Sequence, residues 1–288
     1  MDLRPDARVY FDQRGLSQLT RPFALARSVE AIMREASERA ILPRYRALAG
    51  HEIVAKAADD VVTVADHESE ALLTEKLAAL LPEAAVVGEE AAHADASVME
   101  RLKERLCWIV DPLDGTMNFS QGKPPFGVLV ALADRGETIG GWILDTLSGR
   151  FCHAGKGTGA WIDGERVFAR TSGETPPVAA ISTIFLNAAE REKVVAYLAP
   201  RYRLADIPRC AAEQYPRLVL GINDISVFNR TLPWDHAAGV LFLNEAGGKA
   251  ARPDGSAYRV DEYERRELIG ASSPTLWDEF VEIAARMN

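Results

Sequence analysis

Asp111 and Asp114 stand three residues apart, directly after the apolar run 106–110, with Pro112 and Gly115 shaping the turn and Thr116 following. An apolar run of that length reads as a buried strand. The two carboxylates then emerge together from the end of a buried element, where like charges repel. A hard divalent cation with oxygen ligands is the obvious neutraliser. Three more acids fall at the edges of patterned segments: Asp66, Glu89 and Asp235. Asp66 and Asp235 lie about 170 residues apart, so the set can meet only through folding. Carboxylates with a backbone carbonyl and water suit magnesium rather than zinc or copper. Taken singly, Asp66, Glu89 and Asp235 suit helix caps or surface charge as well.

The elements that must position these acids follow from periodicity. Leu25, Val29, Ile32, Met33 and Ala36 recur at helical spacing, which predicts a helix within 22–48. Asp66 precedes a helical stretch over 67–81 and suits its N-cap, while Val61 to Val64 has strand character. Val86-Val87 is a short strand running into Gly88-Glu89-Glu90. Between 127 and 163, apolar segments at 128–132, 138–144, 150–153 and 160–162 alternate with glycine-containing turns, which predicts an antiparallel meander. The last third alternates: strands at 179–184 and 225–228, helices at 188–199, 217–220, 236–246 and 273–287. Residues 1–24 are read as an N-terminal extension. Residues 25–288 are read as the main domain, with two subdomains at about 25–170 and 171–288 as an alternative.

Composition sets limits on function. The chain has 288 residues, 48% of them hydrophobic, enough for a sizeable core. A net charge of −9 and a pI near 5.2 argue against a nucleic-acid or anionic-membrane surface. A local phosphate site is still allowed, because bound cations reverse the local sign. No apolar stretch reaches the roughly 18–20 residues of a membrane span, and the first 23 residues lack a secretory core. Cys107, Cys152 and Cys210 are odd in number and widely spaced, which fits a reducing cytoplasm and gives no zinc pattern.

Several motifs together make a resemblance specific. Trp108 to Phe119 reads Trp-Ile-Val-Asp-Pro-Leu-Asp-Gly-Thr-Met-Asn-Phe. Trp234-Asp235-His236-Ala237-Ala238-Gly239 runs on to Glu245-Ala246-Gly247-Gly248. Gly88-Glu89-Glu90, Thr63 with Asp66, and the glycine-spaced run from Lys156 to Gly164 complete the set in order. The chain resembles the inositol monophosphatase superfamily of magnesium-dependent, lithium-sensitive phosphatases, over about residues 25 to 275.

The resemblance implies an α+β fold, a layered α-β-α-β-α sandwich of the inositol monophosphatase / fructose-1,6-bisphosphatase type, usually a homodimer. It implies a phosphoric monoester hydrolase using two to three Mg2+ ions. Glu89, Asp111 and the Leu113 carbonyl would hold one ion, and Asp111, Asp114 and Asp235 a second. Asp66 and Thr116, with Glu89, would activate water. Gly115 and Thr116 would face the phosphate, with Asp114, Ala211, Arg230 and Asp235 around the substrate. His236, beside Asp235, reads as a packing residue ahead of a leaving-group acid.

Inositol-specific members carry a glycine where Arg209 stands, and an acid shortly before the Trp-Asp pair. Here that segment is Phe228-Asn229-Arg230-Thr231-Leu232-Pro233, with no acid. An arginine suits a second anionic group better than a neutral hydroxyl. The substrate could accordingly be an inositol phosphate, histidinol phosphate, a sugar phosphate or a 3′-phosphoadenosine nucleotide. A regulatory binding protein that retains the fold is the reading from a different class.

Overall fold

The computed structural model describes residues 22–48, 50–57, 60–183 and 186–286. Of the expected N-terminal extension, residues 1–21 lie outside the described residues. From there the chain begins with helix α1 (Pro22–Ala36), the hairpin β1 (Ile53–Ala57) and β2 (Asp60–Thr63), and α2 (Val64–Leu80). Strand β3 (Ala85–Gly88), α3 (Glu89–Ala94), β4 (Cys107–Asp114) and the short α4 (Thr116–Ser120) follow. The meander is β5 (Gly127–Asp134), β6 (Glu137–Asp145), β7 (Phe151–Gly155), β8 (Gly159–Ile162) and β9 (Glu165–Val167). Then come β10 (Val178–Ile181), α5 (Ala188–Leu198), β11 (Arg203–Ala205), α6 (Ala211–Val219) and β12 (Ile225–Phe228). The chain closes with α7 (Pro233–Glu245), β13 (Lys249–Ala251), β14 (Leu268–Ala271) and α8 (Pro274–Ala285).

Side-chain alternation along the strands sets the layers. In β4, Trp108 and Val110 join one buried cluster, while Cys107 and Ile109 join another. A strand buried on both faces must read as a continuous apolar run, which is why 106–110 does. Strands β3 to β9 form a seven-stranded sheet in sequence order, parallel at β3–β4 and antiparallel beyond. Its Trp108 face packs on Leu25, Val29 and Met33 of α1 and on Leu73 and Leu77 of α2. Trp108 and Trp142 lie there with ring centroids 5.7 Å apart. Truncating a buried tryptophan of this kind to alanine costs about 3–5 kcal/mol.

The opposite face packs on α6 and α7 through Tyr215, Leu218, Ala238 and Phe242. Contact there is close: a Cβ on Gly141 of β6 would lie 2.8 Å from the Ala238 backbone of α7. Beyond α6 and α7 lies a five-stranded sheet in the order β11-β10-β12-β14-β13. Its far face carries α5 and α8, with Leu198, Trp277 and Phe280 over Ala179, Ile225 and Ile269. Helices and sheets thus alternate as α-β-α-β-α, the sandwich that the resemblance implied.

Local differences from the sequence reading have simple causes. The helix expected at 217–220 is the end of α6, which starts at Ala211 and contains Pro216. The strand expected at 179–184 ends at Ile181, and residue 184 lies outside the described residues. Strands β9, β11, β13 and β14 are three or four residues long, too short to show a period. No helix among the described residues is long and apolar enough to cross a membrane.

Candidate active site

Residues three apart on a regular strand point to opposite faces, so Asp111 and Asp114 would be separated by the sheet. They are not. Asp111 pairs with Leu129 and Asp114 with Gly127, so three steps along β4 meet two along β5. That single extra residue is a β-bulge, and it returns Asp114 to the side of Asp111. Pro112 sits in the bulge, where it has no N–H to give to the ladder. Ser69 Oγ of α2 donates to the Pro112 carbonyl at 2.8 Å, and Leu113 N–H to Asp111 Oδ1 at 3.1 Å. The Asp-Pro-Leu-Asp spelling is therefore a way of presenting two acids on one face.

Gly115 then turns the chain at φ +81. A Cβ there would lie 2.8 Å from the Pro125 carbonyl and 3.3 Å from Cys210 Cβ. The glycine is needed by the turn and by its own protein neighbours, as well as facing the cavity.

Asp66 is not the N-cap of α2. Thr63 is, and Asp66 closes its capping box from the first turn. Thr63 N–H and Thr63 Oγ donate to Asp66 Oδ2 at 2.8 and 2.6 Å. Thr116 Oγ lies 3.1 Å from Asp66 Oδ1 and 2.8 Å from the Leu113 carbonyl. A hydroxyl has one proton, so it donates to one of these acceptors at a time. Burial drives the Asp66 carboxyl up to about 6, against the hydrogen bonds from Thr63.

Glu89 opens α3 and Asp235 lies in the first turn of α7. Glu70 secures the start of α3: its Oε2 accepts from Glu90 N–H at 2.7 Å and its Oε1 from Ala91 N–H at 2.8 Å. Sequence reading did not single out Glu70 for this part. Its signal was the four-residue spacing from Asp66, which puts both on one helix face. Asp114 Oδ2 accepts from Ala212 N–H at 2.6 Å and from the Cys210 thiol at 3.1 Å, tying β4 to the start of α6. Sequence reading gave Cys210 no such part. Nor did it single out Gln214, which lines the site and donates to Ser226 Oγ at 2.6 Å.

A cavity of about 420 Å³ gathers most of the expected residues: Glu89, Asp111, Leu113, Asp114, Gly115, Thr116, Ala211, Arg230 and Asp235. Asp66 stands behind it, reached through Thr116. His236 also lines it, yet its ring is fully engaged. Tyr215 hydroxyl meets His236 Nδ1 at 2.7 Å, and Nε2 meets the Arg230 carbonyl at 3.0 Å. The carbonyl only accepts, so Nε2 carries the proton and Nδ1 accepts from Tyr215. Burial pushes His236 down to about 3, so it is neutral at physiological pH. Burial pushes the Cys107 and Cys210 thiols far up, to about 12 for Cys107, which removes both as nucleophiles.

The charge arrangement asks for a cation. Asp111 is 2% exposed, and its carboxyl is pushed well up by burial and then by Glu89, Asp114, Asp235 and Asp66. Asp114 rises to about 6, again chiefly through burial. Among the described residues, no three His, Cys, Asp or Glu side chains stand together as one ion would need. The acids surround the cavity rather than closing a cage, with Asp114 turned toward α6 and Arg230 Nη2 3.9 Å from Asp235 Oδ2. The donor set is all oxygen and crowded with like charge, so it fits hard divalent ions in kind.

The fold is thus a layered sandwich with an acid-lined cavity at the end of a bulged strand. The model of the inositol monophosphatase family matches residues 20–286, and the chain belongs to that family. It is 30% identical over 242 residues to an inositol-1-monophosphatase SuhB of Mycobacterium tuberculosis, covering 80% of this chain and 79% of that one. It is 30% identical over 223 residues to the Nus factor SuhB of Vibrio cholerae, covering 76% of this chain and 80% of that one. In structure it is similar to the extragenic suppressor protein suhB of Bartonella henselae, with a TM-score of 0.75 and 24% identity over 89% of this chain and 97% of that one.

Proposed function

We propose that the chain is a magnesium-dependent phosphomonoesterase that hydrolyses a small phosphate ester with water as the nucleophile. The observation that carries this reading is the pairing of Thr116 with buried Asp66 at the edge of the acid-lined cavity. A hydroxyl at the cavity backed by a carboxylate near 6 is a base poised for proton abstraction around neutral pH. Thr116 takes a proton from water and passes its own to Asp66 Oδ1, while Thr63 holds the other carboxylate oxygen.

Glu89, Asp111 and the Leu113 carbonyl would hold one Mg2+, and Asp111, Asp114 and Asp235 another, with Glu89 within reach of a third. Bound there, such ions would supply Lewis-acid polarisation of a phosphoryl group and charge neutralisation for a leaving oxygen. Asp235 also sets the positive end of α7 toward the cavity. An inositol monophosphate is the first substrate to try, followed by histidinol phosphate, sugar phosphates and 3′-phosphoadenosine nucleotides. A second copy of the chain completes the expected assembly as a homodimer, in the cytoplasm.

The Vibrio cholerae relative's name raises the reading of a binding protein that keeps the fold. A scaffold has no need of a buried carboxylate aligned on a cavity hydroxyl, and that favours the enzyme. Phosphate release across this ester panel, with Mg2+ and with EDTA, tests the proposal. Release that needs Mg2+, is inhibited by Li+ and is lost in Asp111→Asn supports it. No Mg2+-dependent release from any ester favours the binding role.

A further inference from the structure

We propose that Arg209 and Arg230 select a phosphate ester carrying a second anionic group, a carboxylate or a further phosphate. The inference rests on the phosphatase reading and concerns the same cavity. Arg209 and Arg230 line it together with Glu89, Asp111, Asp114 and Asp235, and Arg230 Nη2 lies 3.9 Å from Asp235 Oδ2. A substrate with two anionic groups meets the acid set, with its cations, at its ester phosphate and the guanidinium groups at its second anion. Guanidinium forks bind carboxylate and phosphate in a bidentate manner and pair poorly with a neutral hydroxyl.

Two features show that the arginines are placed. Arg209 has φ +53, a left-handed backbone that disfavours any residue with a Cβ. It is held there one residue before Cys210 and α6, whose start is tied to Asp114. A strained, long, charged side chain at a cavity is an outlier that points to use.

Arg230 is fixed from behind. His236 Nε2–H donates to the Arg230 carbonyl at 3.0 Å, and Tyr215 hydroxyl holds His236 Nδ1 at 2.7 Å. Thr231 Oγ donates to the Arg265 carbonyl at 2.6 Å and accepts from buried Arg252 Nη1 at 2.9 Å. Asn229 Nδ2–H donates to the Ser182 carbonyl at 2.9 Å. The segment is therefore rigid, while the Arg230 side chain remains 47% exposed. A guanidinium on a fixed stem discriminates by distance as well as charge.

The test uses ligands that cannot be hydrolysed. Calorimetry in Mg2+ compares ethylphosphonate with phosphonoacetate, 3-phosphonopropionate and 4-phosphonobutyrate, which add a carboxylate at increasing reach. At least one of the three binds wild type about tenfold or more tighter than ethylphosphonate, the size of one charge-assisted hydrogen bond. In Arg230→Ala and in Arg209→Gly that ratio falls toward one, and Arg230→Lys keeps part of it. Circular dichroism confirms that each variant is folded. Equal affinities in wild type, or a preference that survives both substitutions, overturn the inference while Mg2+-dependent phosphate release leaves the phosphatase reading standing. No phosphonate bound and no ester hydrolysed overturn both.

Discussion

Replacing Asp66 with asparagine is expected to make the protein more stable and much less active. The wild-type carboxyl, 1% exposed, rises from an ordinary 3.8 to about 6 through burial. At about 1.4 kcal/mol per tenfold, that makes ionised Asp66 about 3 kcal/mol more costly in the folded chain than in the unfolded one. The sign follows from proton binding. The folded state holds the proton more tightly, so stability is lost as pH rises from about 4 to about 6.

Asparagine cannot ionise, and its amide oxygen can still accept from Thr63. Its NH2 group replaces the oxygen that faces Thr116, so it offers that hydroxyl a donor instead of a base. Urea unfolding in EDTA should show Asp66→Asn about 3 kcal/mol more stable than wild type at pH 7.5, with the difference shrinking toward zero at pH 4. In Mg2+, phosphate release should fall by about 10²–10⁴. Mg2+ binding should persist, because Asp66 is not among the expected ligands. A variant less stable than wild type at pH 7.5, or a difference independent of pH, would refute the reasoning.

Three further outcomes are expected. Glu70→Ala strands the N–H groups of Glu90 and Ala91, which it now satisfies. Unfolding should show a loss of about 1–3 kcal/mol, and calorimetry a weaker Mg2+ affinity, because Glu89 shares that helical turn. His236 should show no imidazole titration by NMR between pH 4.5 and 9, since burial holds it down to about 3; a titration in that range would make it a candidate acid after all. Gly115→Ala puts a Cβ at φ +81 and 2.8 Å from the Pro125 carbonyl. It should lower stability by at least about 1–2 kcal/mol in urea unfolding.

The candidate site was legible because its acids sit where patterned segments end. Asp111 and Asp114 follow an apolar run buried on both faces and form the end of the same strand, where an acid pair is not expected from packing alone. What brings them to one face, the bulge at Pro112, follows from pairing with β5 and cannot be read from β4 alone. Asp66 was correctly placed at a helix start but given the wrong position. Thr63 both ends β2 and caps α2, and its pairing with Asp66 in the capping box is what places Asp66 inside the first turn. The roles of Glu70, Cys210 and Gln214 were not read because their partners lie between 12 and 96 residues away in sequence. The layers of the seven-stranded sheet were visible in long apolar segments. Of the five-stranded sheet, the strands expected at 179–184 and 225–228 were read, while β11, β13 and β14 were not, since they are short and take their order from contacts with distant segments.

The central claim is that these acids hold divalent cations in one cavity. Crystals grown with Mn2+ in place of Mg2+ allow a direct measurement, since manganese scatters anomalously and takes the same oxygen ligands. The expected result is one anomalous peak among Glu89, Asp111 and the Leu113 carbonyl, and a second among Asp111, Asp114 and Asp235. Both should vanish in Asp111→Asn. Peaks elsewhere, or none at millimolar Mn2+, would contradict the claim.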